Sequence, residues 1–245
     1  MRSTARWLVL LLLAPVALHA QDSGNGFLFG DPVARITLRA GYAHASANSD
    51  LFQETTNLLS LSKSDFSGPT FGGELAFRLS QQLDLSFAAD YEGVTLNSHF
   101  RNFVDNNGQE IEQTTTFQRV PMTANLRLYL APRGRSIGQL AWIPAGIVPW
   151  VGAGAGGMWY RFRQEGDFVD FTNNNNVVPL QVESSGLTFA AQGMGGVDVT
   201  ITPRIALTGD ARYTWAKANP GSDFQGFQKI DLSGVTMTLG LTFRL

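Results

Sequence analysis

The chain has 245 residues, of which 16% are charged and 26 are glycine, with a formal net charge of −2 and no cysteine. Soluble globular chains carry about 25% charged residues, so this composition is unusual for one. The slightly acidic balance excludes a broadly basic nucleic-acid-binding protein, and we expect no nucleic-acid partner. The lack of cysteine excludes a disulfide scaffold, a zinc–cysteine site and a thiol nucleophile.

Residues 1–20 have the features of a secretory signal peptide. Arg2 and Arg6 supply the positive charge, residues 7–14 are apolar, and Leu18-His19-Ala20 precedes the expected cleavage site. The apolar stretch is shorter than the ~20 residues that a transmembrane helix needs. We therefore predict a cleaved, exported protein of the bacterial envelope, with residues 21–32 as a short periplasmic segment. A lipoprotein anchor is not expected because no cysteine follows the cleavage site.

Apolar and polar residues alternate along most of the mature chain, and this period of two predicts strands with one apolar and one polar face. The predicted strands are 33–44, 70–80, 83–95, 120–130, 147–162, 187–201, 205–215 and 235–245. Four glycines dilute the alternation within 147–162, so the facing of that strand stays open. The pattern predicts an all-β fold, an eight-stranded antiparallel up-and-down barrel over residues 33–245, with no further domain expected.

The connections between these strands alternate in length. Tight turns at 81–82 and 202–203 contrast with long polar segments at 45–68, 97–113, 163–186 and 216–231. Several of these segments look like extended hairpins, and Asp105-Asn106-Asn107-Gly108 carries an Asn-Gly signal for a tight turn. Short periplasmic turns and long external loops are typical of outer-membrane barrels. The segment 133–144 is an exception, since it is long where a short turn is expected.

Alternation alone does not decide between a soluble barrel such as a lipocalin and a membrane barrel, which turns its apolar face outward. The three lysines, Lys63, Lys217 and Lys229, lie outside the predicted strands, whereas a soluble barrel usually carries lysines on its outer face. Amphipathic aromatic residues lie at strand ends, as expected at lipid–water interfaces. The predicted aromatic belts comprise Tyr42, Tyr91, Tyr213 and Trp215 at one end, and Trp142 and Trp150 nearer the other. We therefore predict a transmembrane barrel.

The polar faces of the strands carry six arginines and six carboxylates, namely Arg35, Arg39, Arg78, Arg127, Arg212 and Arg244 with Glu74, Asp84, Asp90, Glu92, Asp198 and Asp210. An eight-stranded barrel is only wide enough inside to hold side chains, and a charge buried there must be paired. We predict a lumen charge network formed by Arg39, Glu74, Arg78, Asp90, Arg127, Asp210 and Arg212. Two roles for it remain open: a packed polar core that closes the lumen, or a gate whose ion pairs re-form.

Three stretches give the chain a resemblance to a known family. They are Pro149-Trp-Val-Gly-Ala-Gly-Ala-Gly-Gly157, Gly195-Gly-Val-Asp-Val-Thr-Ile-Thr-Pro-Arg204 and the terminal Met237-Thr-Leu-Gly-Leu-Thr-Phe-Arg-Leu245. The mature chain resembles the small eight-stranded outer-membrane barrels of the OmpA-like transmembrane group, which includes the OmpX and opacity-type proteins. The resemblance implies an outer-membrane location, contact with lipid and lipopolysaccharide, and a C-terminal signal for the assembly machinery at Leu239, Leu241, Phe243 and Leu245. The family usually ends in an aromatic residue, and this chain ends in leucine.

We expect no cofactor, no metal site and no catalytic residue. Gly152-x-Gly154-x-x-Gly157 matches a dinucleotide fingerprint, but the residues that follow are strand-like, and that motif requires a helix there. Ser98 next to His99, or Ser46 near His44, offers a weak nucleophile–base pair. Adjacent residues of a strand point to opposite faces, which argues against the first pair.

The sequence leaves three functions open. The favoured hypothesis is a structural or surface-interaction protein, whose long loops at 45–68, 97–113, 163–186 and 216–231 are mobile and bind a surface ligand. The alternatives are a pore for small solutes or ions and a lipid-modifying outer-membrane enzyme.

Overall fold

The computed structural model describes residues 26–105, 108–138, 140–170 and 176–245. The predicted signal peptide lies outside these residues, as do 21–25 of the predicted periplasmic segment. The elements are, in chain order, β1 (Leu28–Phe29), β2 (Ala34–Ala45), α1 (Asp50–Leu58), a 3-10 turn (Lys63–Phe66), β3 (Gly68–Arg78), β4 (Leu83–Val104), β5 (Glu110–Tyr129), β6 (Gly134–Ile137), β7 (Ala141–Pro144), β8 (Ile147–Asp170), β9 (Asn176–Thr200), β10 (Ile205–Ala218), a second 3-10 turn (Ser222–Phe224), β11 (Ile230–Asp231) and β12 (Gly234–Arg244).

Eight long strands close into one transmembrane barrel, which confirms the predicted fold class. The order around the ring is β2-β3-β4-β5-β8-β9-β10-β12, and every neighbouring pair is antiparallel. The ring closes where β12 pairs with β2, from Gly234 opposite Ala45 to Arg244 opposite Arg35. All backbone groups of a closed ring find partners within the sheet, which is what a bilayer demands of a spanning structure.

The strand faces have the chemistry of a membrane barrel. Leu38, Phe71 and Leu239 are 60–65% exposed on the outer surface, whereas Arg39, Glu74 and Arg127 are buried inside. Exposed apolar side chains are stable on a surface that faces lipid. Within the described residues, no helix is long and apolar enough to cross a bilayer.

Four strands are much longer than the alternation predicted. β4, β5, β8 and β9 have 20 to 25 residues each, and their pairing continues as far as Asp170 opposite Asn176. The segments 97–113 and 163–186, predicted as long polar connections with the look of extended hairpins, are therefore largely strand. These extensions rise beyond the ends of β2, β3, β10 and β12 as a four-stranded wall.

The long segment between β2 and β3 folds against the inner face of this wall. α1 places Leu51 and Phe52 inward with at most 2% exposure, and the following 3-10 turn adds Phe66. Residues 219–229 close the other side, with Phe224 buried. We call the unit formed by the described residues of 46–67, 94–117, 160–186 and 219–232 the lobe. The sequence predicted mobile loops, and the structure shows a unit with its own apolar core.

The opposite end of the barrel, which we call the base, carries the tight turns. Leu79 and Ser80 donate backbone hydrogen bonds to Leu83 across the first turn, and Ile201 donates to Ile205 across the second. The exceptional connection 133–144 forms β6 and β7, which join β1 in a small three-stranded sheet. We call it the cover sheet because it lies over the mouth of the barrel at this end.

Strand β8, whose facing the sequence left open, turns three of its glycines inward. Gly152, Gly154 and Gly156 alternate with the outward Val151, Ala153 and Ala155. A Cβ on Gly154 would lie 1.9 Å from Oδ1 of Asn125. These glycines therefore make room for long polar side chains from the facing strands, which is the crowding relief that the sequence suggested.

Candidate functional site

A chain of ion pairs crosses the lumen at mid-height. Arg39 on β2 binds Asp90 on β4 through two bonds, Nε to Oδ1 at 2.7 Å and Nη2 to Oδ2 at 2.6 Å. Its Nη1 reaches Glu74 on β3 at 3.0 Å, and Arg127 on β5 binds the other oxygen of Glu74 at 2.5 Å. Arginine suits this position because its planar fork pairs with carboxylates in two directions.

The chain continues on the far side of Asp90. Arg212 on β10 donates to Asp90 at 3.0 Å and to Asp210 at 2.8 Å, and Thr238 on β12 donates to Asp210 at 2.9 Å. Six of the seven residues predicted for the lumen network are thus joined, three arginines with three carboxylates. All six are at most 9% exposed. We keep the name lumen network for these six residues.

Arg78, the seventh predicted member, does not join them. It lies near the base end of β3, its side chain is 21% exposed, and it pairs with Asp31 at 2.9 Å. The prediction was wrong because the polar phase of a strand fixes the side on which a residue lies but not its depth in the barrel.

Trp150 faces the lumen, so its assignment to a membrane belt is wrong. Its ring is 1% exposed, and the guanidinium of Arg127 stacks on it at 3.7 Å from the ring centre. Its indole Nε1 donates to Asp198 at 3.1 Å. The error follows from the undecided phase of β8, because Trp150 shares the inward face with the glycines of that strand.

Trp142 is also misplaced in the predicted belt, since it lies in β7 of the cover sheet and is only 6% exposed. The four aromatic residues predicted for the other belt do lie on the outer surface near the lobe. Tyr42, Tyr213 and Trp215 are about half exposed, and Tyr91 is partly exposed and accepts a hydrogen bond from Gln118. The terminal residues Leu239, Leu241, Phe243 and Leu245 also face outward, with 37–65% exposure.

A second ion-pair cluster lies below the lumen network, toward the base. Asp84 binds Arg35 at 2.8 Å and Arg133 at 2.7 Å, and it accepts a hydrogen bond from the hydroxyl of Tyr129. Arg35 also reaches Asp198 at 3.0 Å. The sequence had placed Arg35, Asp84 and Asp198 on polar faces but missed Tyr129 and Arg133. Tyr129 was detectable, because it shares the phase of Arg127.

A third pair lies above the network. Arg119 binds Glu92 at 2.8 Å and donates to the backbone oxygens of Leu232 and Ser233. Thr236 donates to the same carboxylate at 2.8 Å. Sequence reasoning missed Arg119 because the predicted strand began one residue later, although Arg119 is in phase with Arg127.

Aromatic rings fill the interior above Arg119. Phe52 of α1 lies at its centre, with ring centres 4.8 Å from Phe66, 5.3 Å from Phe117 and 5.6 Å from Phe162. Edge-to-face contacts of this kind add to the stabilisation from apolar burial. The interior therefore passes from ion pairs at mid-height to the apolar core of the lobe.

The two histidines of the mature sequence find serine partners that the sequence did not pair with them. Nδ1 of His44 lies 3.1 Å from the hydroxyl of Ser67, and Nδ1 of His99 lies 3.3 Å from that of Ser60. Glu110 approaches the same Nδ1 of His99 at 3.6 Å. A catalytic triad needs the nucleophile and the orienting carboxylate on different ring nitrogens, so this geometry does not form one.

The described residues contain no group of three or more histidine, aspartate or glutamate side chains arranged to hold a metal ion.

No protein-family model matches the chain, and no curated protein matches it. Among solved structures, the outer membrane protein OprG from Pseudomonas aeruginosa is 12% identical with a TM-score of 0.47, over 89% of this chain and 99% of that one. Neisserial surface protein A is 13% identical with a TM-score of 0.46, over 86% and 97%. The Yersinia pestis attachment invasion locus protein Ail, solved with the heparin analogue sucrose octasulfate, is 12% identical with a TM-score of 0.43, over 87% and 99%.

Proposed function

We propose that the protein is an outer-membrane surface protein whose barrel serves as an anchor and whose lobe contacts a partner outside the cell. The observation that carries this proposal is the folded lobe. A barrel needs only short connections to be stable in a membrane, yet a large part of this chain builds an apolar core of its own above the polar lumen. Long ordered connections of this kind usually serve a function.

The proposed location follows from the two ends and the outer surface. Tight turns at the base match the periplasmic side of outer-membrane barrels, and the longer lobe side matches the exterior. The exposed apolar side chains imply contact with lipid and lipopolysaccharide. Residues 1–20 supply the export signal, and Leu239, Leu241, Phe243 and Leu245 supply the signal for the assembly machinery.

The proposal favours a sealed lumen over a pore. The ion pairs from Arg127 to Asp210 join opposite sides of the ring, and the rings around Phe52 block the path above them. Breaking a buried pair without replacing a partner costs about 3–5 kcal/mol. To open a path for solutes, several of these ion pairs would have to break together, and each would cost this much free energy.

The test of the proposal shortens the lobe without touching the barrel. Glu165 and Gln181 are register partners on β8 and β9, so residues 166–180 can be replaced by Asn-Gly, which suits a two-residue hairpin. We expect this variant to insert and to keep its heat-modifiable gel mobility. Cells that display the wild-type protein should adhere to members of a panel of glycan- and protein-coated surfaces, and cells with the shortened variant should not.

The matched control is Gln82→Asn, which changes a tight turn at the base and leaves the lobe intact. It should adhere as the wild type does. Adhesion that persists after the lobe is shortened, or no adhesion by wild-type cells, would contradict the proposal. Planar-bilayer recordings test the pore, with no conductance above background expected. Mass spectrometry of lipid A with and without expression tests the enzyme, with an unchanged acylation pattern expected.

A further inference from the structure

A cavity of about 520 Å³ lies at the base of the barrel, between the ring of strands and the cover sheet. Its volume falls within the range of about 300–1,000 Å³ typical of small-molecule sites. Trp142 of the cover sheet and Tyr129 of β5 give it two aromatic walls. The function proposed for the lobe makes no use of this cavity, which we call the basal cavity.

The cavity is rich in arginine. Four arginines line it, namely Arg35, Arg78, Arg133 and Arg244, together with two carboxylates, Asp31 and Asp198. Asp84, which binds Arg35 and Arg133, adds a third carboxylate beside the lining. Four positive charges against three negative ones leave a surplus of one cation.

The lining carboxylates already have donors. Asp31 accepts from Arg78 at 2.9 Å and from the hydroxyl of Ser136 at 3.0 Å. Asp198 accepts from Arg35, from the indole of Trp150 and from the hydroxyl of Thr208. These acids are thus engaged by other groups, and among the described residues none of them lies within ion-pair distance of Arg244.

Arg244 is the cation in surplus. It is 7% exposed, and its side-chain hydrogen bonds to described residues go to neutral oxygens, at 2.8 Å to Thr200 Oγ1, 3.1 Å to Pro203 O and 3.4 Å to Thr202 O. Its guanidinium lies 5.7 Å from the ring centre of Trp142. An arginine has five N–H donors, so two remain after these bonds.

Arg35 offers a second observation. Its side chain is 7% exposed, and its Nε–H has no hydrogen-bond partner among the described residues. A buried guanidinium N–H without an acceptor is costly, and a missing acceptor is one explanation for such a group. Both arginines line the same cavity.

The connection that forms the cover sheet is longer than the barrel requires. A tight turn such as 81–82 would join β5 to β8, but the chain instead makes β6 and β7 and ties them to the barrel through Arg133 and Asp84. The ring of Trp142 packs directly against Gly134, where a Cβ would lie only 2.5 Å from the ring. The ring is thereby held over the cavity beside Arg244.

We propose that the basal cavity is a binding site for a small oxyanion, a carboxylate or a phosphate, which Arg244 binds as its main partner against the wall formed by Trp142. Arg35 contributes the second cationic group. The oxyanion is either a free periplasmic solute or the headgroup of an anionic lipid in the inner leaflet. The basal cavity lies at the end of the barrel opposite the lobe, so its ligand is independent of the proposed surface function.

The test is isothermal titration calorimetry at low ionic strength on the full barrel in zwitterionic micelles, with inorganic phosphate and citrate as probes. We expect saturable binding of at least one probe at one site per barrel. Arg244→Gln should weaken that binding about tenfold or more, because a charge-assisted contact is lost. The matched control, Arg135→Gln, removes the same charge from an exposed position on β6 outside the cavity, and it should bind as the wild type does.

A second variant covers the case in which Arg244→Gln does not fold. Gln82→Glu places a negative charge at an exposed position of the cavity lining and should also weaken binding while the heat-modifiable mobility is kept. No saturable heat with either probe overturns the proposal, as does an equal loss in Arg135→Gln and in the cavity variants.

Repeating the titration in nanodiscs of defined lipid distinguishes a lipid headgroup from a free solute as the ligand. If a lipid headgroup occupies the cavity, phosphatidylglycerol should compete with the probe, and replacing it with phosphatidylcholine should restore the affinity seen in micelles. If the ligand is a free solute, the affinity should be the same in both lipids.

Discussion

The lumen network and the lobe core fill two parts of one interior with opposite chemistry. The lumen network consists of paired charges around Arg39, whereas the lobe core consists of phenylalanines around Phe52. Along each long strand, the same alternate residues point inward in both regions. On β5, Arg127 and Phe117 both point inward, while Met122 points outward to the surface that faces lipid.

The environment outside the wall explains this inversion. Where lipid surrounds the barrel, apolar side chains are stable outside and the paired charges fill the inside. Where water surrounds the wall, the apolar side chains turn inward and polar residues such as Glu112 and Gln118 face out. The same inward face therefore changes from polar to apolar at the edge of the membrane.

The largest expected effect is in the lumen. Glu74→Ala should destabilise the barrel by about 3–5 kcal/mol, because Arg39 and Arg127 lose the carboxylate they share. Urea titration of the heat-modifiable form in micelles measures this loss. Glu74→Gln, which keeps the shape of the side chain and one acceptor, is the matched control and should cost less. If the alanine variant has the same urea midpoint and the same gel mobility as the wild type, Glu74 does not stabilise the barrel through these ion pairs.

A smaller effect is expected in the lobe. Phe52→Ala should cost roughly 3 kcal/mol, because it leaves a cavity among Phe66, Phe117 and Phe162. The loss should be local, so that limited proteolysis cuts residues 46–67 faster while the barrel keeps its gel mobility. Phe71→Ala removes a ring that faces lipid and should leave this cleavage rate unchanged. Loss of the barrel together with the lobe would show that the two regions are not separable.

Because the lumen is crowded, replacing a glycine by alanine should destabilise the barrel at Gly154 but not at Gly193. Gly154→Ala should cost about 1–3 kcal/mol, since its Cβ would lie 1.9 Å from Asn125 Oδ1 and 2.6 Å from the backbone oxygen of Ala124. Gly193→Ala on β9 meets nothing within 4 Å and should be close to neutral. Equal unfolding midpoints for the two variants would argue against a packed lumen at β8.

The smallest expected effect is the coupling between the two regions. Glu74→Gln and Phe52→Leu alter side chains whose ion-pair and ring partners among the described residues do not overlap. Their costs should therefore add to within about 0.5 kcal/mol in the double variant. A larger interaction energy, measured in the same urea titrations, would mean that the lobe core and the lumen network form one cooperative unit.

The alternation that predicted eight strands was reliable only within the membrane. At the base of the barrel, the predicted end of each strand lies no more than two residues from the observed end. The agreement is close because contact with lipid requires apolar residues at every second position. Beyond Phe117 on β5 and Tyr160 on β8 the apolar residues change faces, so the alternation predicts the eight strands only up to this level. The extensions of β4, β5, β8 and β9 fall in the segments that the sequence predicts as long polar connections, several with the look of extended hairpins.

The barrel, its outer surface and the identity of most buried charges could be predicted from the sequence, because a period of two assigns each residue to a face. Which of these charges meet depends on the tertiary structure, since depth and register place Arg39 beside Asp90 and send Arg78 to the base. The packing of the whole chain also places Trp150 inside, folds residues 46–67 into a lobe, and lays residues 133–144 over a cavity. These outcomes depend on contacts between residues far apart in the chain, and no local pattern encodes them.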